Sequence, residues 1–154
     1  SFIVLFISEI MKGKYKPINP NKYQGDPTNI IYRSSWELKF MRFCDLRDDV
    51  VQWQSEEIIV PYRHPLDGKV HRYYPDFKIS VKTKDEIIEH WLIEIKPSKF
   101  AKEPVPQKRK TKKYINQVKS YAINRYKWDA AKYFCKKRNW KFKVLTEQDL
   151  KIKG

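Results

Sequence analysis

The 154 residues suffice for one domain with a real core, and 41% hydrophobic with 15% aromatic content excludes a disordered chain. Lysine and arginine number 33 against 18 acids, a formal charge of +15. An excess of that size points to a polyanionic partner, nucleic acid ahead of an anionic membrane surface, rather than to a merely solvated basic face. Cys44 and Cys135 sit in apolar-periodic segments and read as buried free thiols. With no CxxC, and with His64, His71 and His90 out of zinc spacing, no structural zinc site is expected.

In chain order, residues 1–10 come first, "SFIVLFISEI". They are apolar through Ile7, too short to span a bilayer, and lack the features of a signal peptide. They read either as an edge strand or as a non-native extension ahead of "MKGKYKP", with residues 11–154 forming a single domain. Residues 12–29, rich in Pro, Asn, Gly and Lys, read as an irregular basic arm or a wrapping loop. Trp36, Phe40 and Phe43 recur at helical spacing, as do Glu37, Met41 and Cys44, so a helix is expected over Ser35–Leu46. Three strands follow as an antiparallel meander: "VVQWQSEEIIVPYRH", the turn "PLDG", "KVHRYYPDFKISV", the turn "KTKDE", then "IIEHWLIEIK". Residues 96–113 carry eight basic residues, one acid and three prolines, and read as a basic loop. A helical pattern comes next, one helix or two parted near Asn124, then a last strand, "WKFKVLTE". The order is that of an α/β or α+β domain with a mixed sheet.

Two strands place charge where a core should be. Period-two geometry puts Tyr74, Asp76 and Lys78 on one face, and Leu92, Glu94 and Lys96 on one face. A hairpin folded about Asp85 sets Asp76 opposite Glu94. Like charges so placed repel and titrate as a pair. A divalent cation between them is the natural compensation, and hard oxygen ligands suit Mg²⁺ or Mn²⁺. The plain alternative pairs Glu94 with Lys96, and Asp76 with an arginine, on a solvated face. For either residue alone that alternative is the stronger.

"YPDF" followed by "IEIKP" resembles the PD-(D/E)xK nuclease signature. With "YRSSWELKFMRFCD", "VVQWQSEEIIVPY", "DGKVHRYYPDF" and "KRKTKK", the chain from Met11 to Leu150 is similar to the head-completion nucleases of tailed bacteriophages, themselves similar to TnsA. No catalytic position departs from that pattern. The resemblance implies a restriction-endonuclease-like core and metal-dependent hydrolysis of DNA. It makes Glu37 a metal-side carboxylate, although Ser34-x-x-Glu37 alone reads as a capping box. Glu56 and Glu57 are the substitutes if Glu37 fails.

On this reading Asp76, Glu94, the Ile95 carbonyl and Glu37 hold the metal, and Lys96 stabilises the transition state. Arg72, Lys99, Lys108, Arg109, Lys110, Lys112 and Lys113, with the arm at 12–22, would bind DNA phosphates without reading sequence. Tyr73, Tyr74 and Tyr114 would lie near the cut, although core packing accounts for each singly. The expected substrate is double-stranded or structured DNA, cut with weak sequence preference. The resemblance further implies phage head or neck proteins as partners and a place in the host cytoplasm or the virion. Competing readings are a TnsA-like transposition or restriction nuclease, and a non-catalytic DNA-binding head component. The last is disfavoured because a pure binder needs no acidic cluster facing a polyanion.

Overall fold

A polar residue with a free hydroxyl just before an apolar-periodic run starts a helix, and Ser34 does so here. In a computed structural model that describes residues 12–151, Ser34 Oγ accepts the Glu37 N–H at 3.1 Å and helix α1 runs over Ser35–Leu46. The expected bounds hold. The helix buries Phe40, Met41, Cys44 and Asp45. The expectation for residues 1–10 lies outside the described residues.

The central sheet has four strands in the order β3 (Val50–Ser55), β6 (Phe77–Lys82), β7 (Ile88–Ile95) and β8 (Lys141–Leu145). The first three pair antiparallel, and β7 and β8 pair parallel. A parallel pair needs a long crossover. Helix α3 (Lys112–Arg138) supplies it, after a one-turn helix α2 (Ser98–Ala101). The mixed α+β architecture is therefore as expected. One apolar cluster joins α1 to Trp53, Phe77, Ile79 and Ile93. A second joins Leu92 to Trp128, Ala131 and Cys135 of α3. Both cysteines are free and buried.

Three expectations need correction. The meander is not three unbroken strands. Its first hairpin breaks on both sides, so β4 (Val60–Arg63) and β5 (Val70–Tyr73) form a separate two-stranded sheet. Pro75 cannot donate to a ladder, and Glu56 turns through a positive φ of 56°, so the ribbon folds away at that level. Second, α3 does not break at Asn124. Asn costs a helix well under ~1 kcal/mol, and burial of Trp128, Ala131 and Cys135 on one stripe outweighs it. The helix ends at Asn139, in the left-handed region at φ 58°, whose N–H caps the last carbonyls.

Third, of the two readings of residues 12–29 the wrapping one holds, but the segment is not irregular throughout. Its β1 (Gly13–Tyr15) pairs with β2 (Ile30–Tyr32), and Tyr15 and Tyr23 pack against Trp53. Lys22 Nζ donates to the carbonyls of Asp45 and Arg47. That lysine fastens the arm to α1.

Candidate active site

The hairpin of β6 and β7 has the expected register, Phe77 facing Ile93 and Lys82 facing Ile88, with Glu86 left-handed in the turn. Continued by two residues, that register sets Ile95 opposite Pro75. Lys96 N–H donates to Leu145 of β8, so alternation turns the Ile95 backbone toward the β6 side. Pro75 has no N–H to give the Ile95 carbonyl. The Ile95 N–H instead donates to Asp76 Oδ2 at 2.8 Å. Asp76 therefore lies in the bend just before β6 rather than on a strand face, its carboxylate standing in for a ladder partner. The Glu56 N–H donates to the Asp76 carbonyl at 3.1 Å, which ties the two sides of the broken hairpin.

Glu37, Glu56 and Asp76 each place an oxygen within 4.8 Å of the others. Glu37 arrives from the first turn of α1, where its Oε2 accepts the Arg33 N–H at 3.2 Å. It is thus both a cap and a member of the cluster. Glu56 is ion-paired with Arg33, and Glu57 is exposed. Glu94 stands outside this triple, with its Oε2 accepting the Tyr73 hydroxyl at 2.6 Å.

Burial, then the Glu94 charge, holds the Asp76 carboxyl well above the usual range, and Glu37 and Glu56 push the same way. The Ile95 N–H opposes them. Burial also raises Glu94, against the Tyr73 hydroxyl, Lys96 and Lys127. Burial raises Glu37 as well. Asp76, Glu94 and Glu37 are thus each pushed toward the neutral acid, the electrostatic condition that a bound cation relieves.

Lys127 was not legible as a site residue. It lies in α3, fifty-one positions beyond Asp76. Its ammonium stands 5.6 Å from the centre of the Tyr73 ring and 5.8 Å from that of Tyr62. Burial lowers its pKa, the Glu94 charge raises it and Lys96 lowers it, so it shares one electrostatic neighbourhood with both. The signal in the sequence was one lysine beside Trp128 on an otherwise buried stripe.

The other predicted residues separate into two places. Lys96, Lys99, Lys112 and Lys113 line one groove between α2 and α3. Lys108, Arg109 and Lys110 are exposed on the segment leading into α3, with Lys110 over the Tyr114 ring. Arg72 is exposed on β5, on the strand face opposite to inward-facing Tyr73, and Tyr74 is also exposed. A second group, His64, Asp67 and His71, gathers on the β4–β5 hairpin although its spacing gave no such sign. Its partners are internal: His71 pairs with Asp67, and the Leu66 N–H donates to His64 Nδ1. Among the described residues no helix is long and apolar enough to cross a membrane.

Two comparisons bear on these residues. The chain is 37% identical over 146 residues to the head completion nuclease of Enterobacteria phage T4, covering 92% of this chain and 95% of that protein. The sequence model of the TnsA-like endonuclease N-terminal family matches residues 47–147, a span that holds Asp76, Glu94, Lys96 and Lys127. A basic α+β domain with an acidic cluster at the broken end of its sheet accords with both, and the chain belongs to the TnsA-like endonuclease family.

Proposed function

We propose that this endonuclease hydrolyses DNA phosphodiester bonds at the corner formed by Asp76, Glu94 and Lys96. Asp76, Glu94, the Ile95 carbonyl and Glu37 would hold a divalent metal, Mg²⁺ or Mn²⁺ by the hardness of their oxygens. Glu56 joins them as a neighbour of Glu37 and Asp76. The observation that carries this reading is the anchoring of three half-buried carboxylates at one oxygen each: Asp76 by Ile95 N–H, Glu94 by the Tyr73 hydroxyl, Glu37 by Arg33 N–H. A carboxylate fixed in this way is pre-oriented and still has lone pairs to offer. The carbonyl of Ile95, set opposite a proline, adds a further hard oxygen.

When bound, the metal would polarise the phosphate and lower the pKa of its water. Lys96 would donate to a non-bridging phosphate oxygen and offset the charge that grows there. Tyr73 would hold Glu94 in place. Lys127 would keep that carboxylate ionised. The lysines of the groove and of the segment before α3 would fix the DNA backbone without reading bases.

The T4 relative is named for head completion. By that likeness we place this chain in the same step, on packaged DNA in the host cytoplasm or the virion, beside head or neck proteins.

The test is cleavage of supercoiled and linear DNA with Mg²⁺, with Mn²⁺ and with EDTA, for the wild type and for Asp76→Ala, Glu94→Ala and Lys96→Ala. Cutting that needs metal and fails in all three variants, with DNA binding retained, supports the reading. Cutting that survives Asp76→Ala and Glu94→Ala moves the chemistry elsewhere. No cutting of any DNA, with unchanged affinity in the variants, makes the protein a DNA-binding component.

A further inference from the structure

The charge of a duplex lies on a convex ribbon of phosphates, and cations on an open surface are enough to bind it. The groove beside Lys96 is built for something else. It is a concave space of 1080 Å³ between α2, the segment that follows it and the N-terminal half of α3. That is the upper end of the ~300–1,000 Å³ typical of ligand pockets. Five lysines and one glutamate line it, so its occupant is anionic. Phe100, Val105 and Tyr121 also line it, and phosphates have no use for them. Gln117 and Asn124 add side-chain amides, each both donor and acceptor.

The first turn of α3 sharpens the point. Acids are favoured at a helix N-terminus because its N–H groups carry partial positive charge. This helix has no acid there; it has Lys112 and Lys113 behind the Thr111 cap. Cations on the positive end of a helix are a local conflict that a bound phosphate resolves. Cations for phosphates, aromatic faces for stacking and amides for base edges together describe unpaired nucleotides.

We propose that this groove receives a single-stranded DNA segment adjoining the scissile phosphate, and that the enzyme prefers duplexes with unpaired ends or junctions over blunt duplex. The proposal rests on Lys96 working at the scissile phosphate, because Lys96 is both a wall of the groove and the neighbour of Glu94. Phe100 and Tyr121 are the stacking faces. Lys99 Nζ lies 4.8 Å from the centre of the Phe100 ring. Arg125 donates to the Tyr121 hydroxyl at 3.2 Å and fixes that ring.

The test is binding without turnover. Short duplexes of one sequence, blunt or with a single-stranded overhang carrying 2-aminopurine, are titrated with the full chain in Ca²⁺. Quenching of the 2-aminopurine and about tenfold tighter binding of the overhang are expected, the worth of one stacked base. Phe100→Leu and Tyr121→Leu keep apolar bulk but lose the π face, and should bring the overhang-to-blunt ratio toward one. Tyr133→Ala, an exposed tyrosine of α3 outside the groove, should leave that ratio unchanged. Equal affinity for blunt and overhanging DNA overturns the proposal, as does a preference that survives both leucine variants. The binding ratio requires no cleavage, so its failure is separate from failure of the Asp76–Glu94–Lys96 reading, which metal-dependent cutting decides.

Discussion

Asp45 and Asp76 both lie within this fold, the first fully buried and the second half-buried, and they behave in opposite ways. Asp45, at the end of α1, has no exposed surface and is surrounded by donors: the Tyr15 hydroxyl at 2.5 Å, the Ile18 N–H at 2.7 Å and the Asn19 N–H at 2.9 Å. Burial alone would raise its pKa, but those donors outweigh it and hold the carboxyl below the usual range. The Asp76 carboxylate accepts one hydrogen bond among the described residues, from the Ile95 N–H at 2.8 Å, and has three acidic neighbours, and its pKa is pushed well up. One charge is satisfied by donors. The other is set among acids. Burial alone does not set the state of a carboxylate; the balance of donors and acids around it does.

The largest effect that could break this contrast is on rate. Asp76→Asn keeps shape but removes the charge, and cleavage should fall about 10³-fold or more, roughly 4 kcal/mol of transition-state stabilisation. Plasmid nicking checks it, and near-normal activity would remove Asp76 from the chemistry. Asp45→Ala should do the reverse. The buried Tyr15 hydroxyl and the part-buried Ile18 and Asn19 N–H groups lose their acceptor, at ~1–3 kcal/mol for a fully buried donor and less for the others. We expect ~3 kcal/mol of lost stability, about 6–12 °C in Tm for a chain of this size, while the folded fraction still cuts in metal. Calorimetry beside nicking reads both.

Metal and pH sharpen the contrast further. A raised carboxyl pKa in the fold contributes stability at low pH and loses it as pH rises through the folded value. A depressed one contributes stability above the unfolded value and loses it as pH falls. In EDTA, Asp76→Asn should therefore raise Tm at neutral pH and flatten the loss seen as pH climbs out of the carboxylate range. Asp45→Asn should flatten the acid limb instead. Metal at about one hundred times its Kd should stabilise the wild type by ~2.7 kcal/mol, and Asp76→Asn by far less. Melting curves across pH, with EDTA and with Mg²⁺, decide; an equal metal response in both proteins would refute the site.

The smallest expected effect belongs to Lys127. It faces Glu94 through Tyr73, so Lys127→Ala should cost about tenfold in kcat/KM and weaken the metal-induced rise in Tm. Lys127→Arg should recover part of both. A variant with normal kinetics would make Lys127 a packing residue for the two tyrosine rings.

The apolar periods of Phe40, Met41 and Cys44, and the turn about Asp85, determined α1, the β6–β7 register and hence the meeting of Asp76 with Glu94. Local geometry fixes those features, because a helix face repeats every 3.6 residues and a strand face every two. Residues far apart in sequence needed the fold. The break at Pro75 and Glu56 turned Asp76 into the bend, an event set by a missing N–H opposite Ile95 and by a positive φ elsewhere. Lys127 came into the electrostatic neighbourhood of Glu94 because α3 crosses from β7 to β8. Asp45 stands near a helix end, and only the arm folding back gives it Tyr15, Ile18 and Asn19. The sequence by itself determined which residues could carry the chemistry, because residue type and short-range period are written along the chain. Only the tertiary structure decided which charges were answered and which were left open, because a buried charge is answered by neighbours that arrive from distant segments.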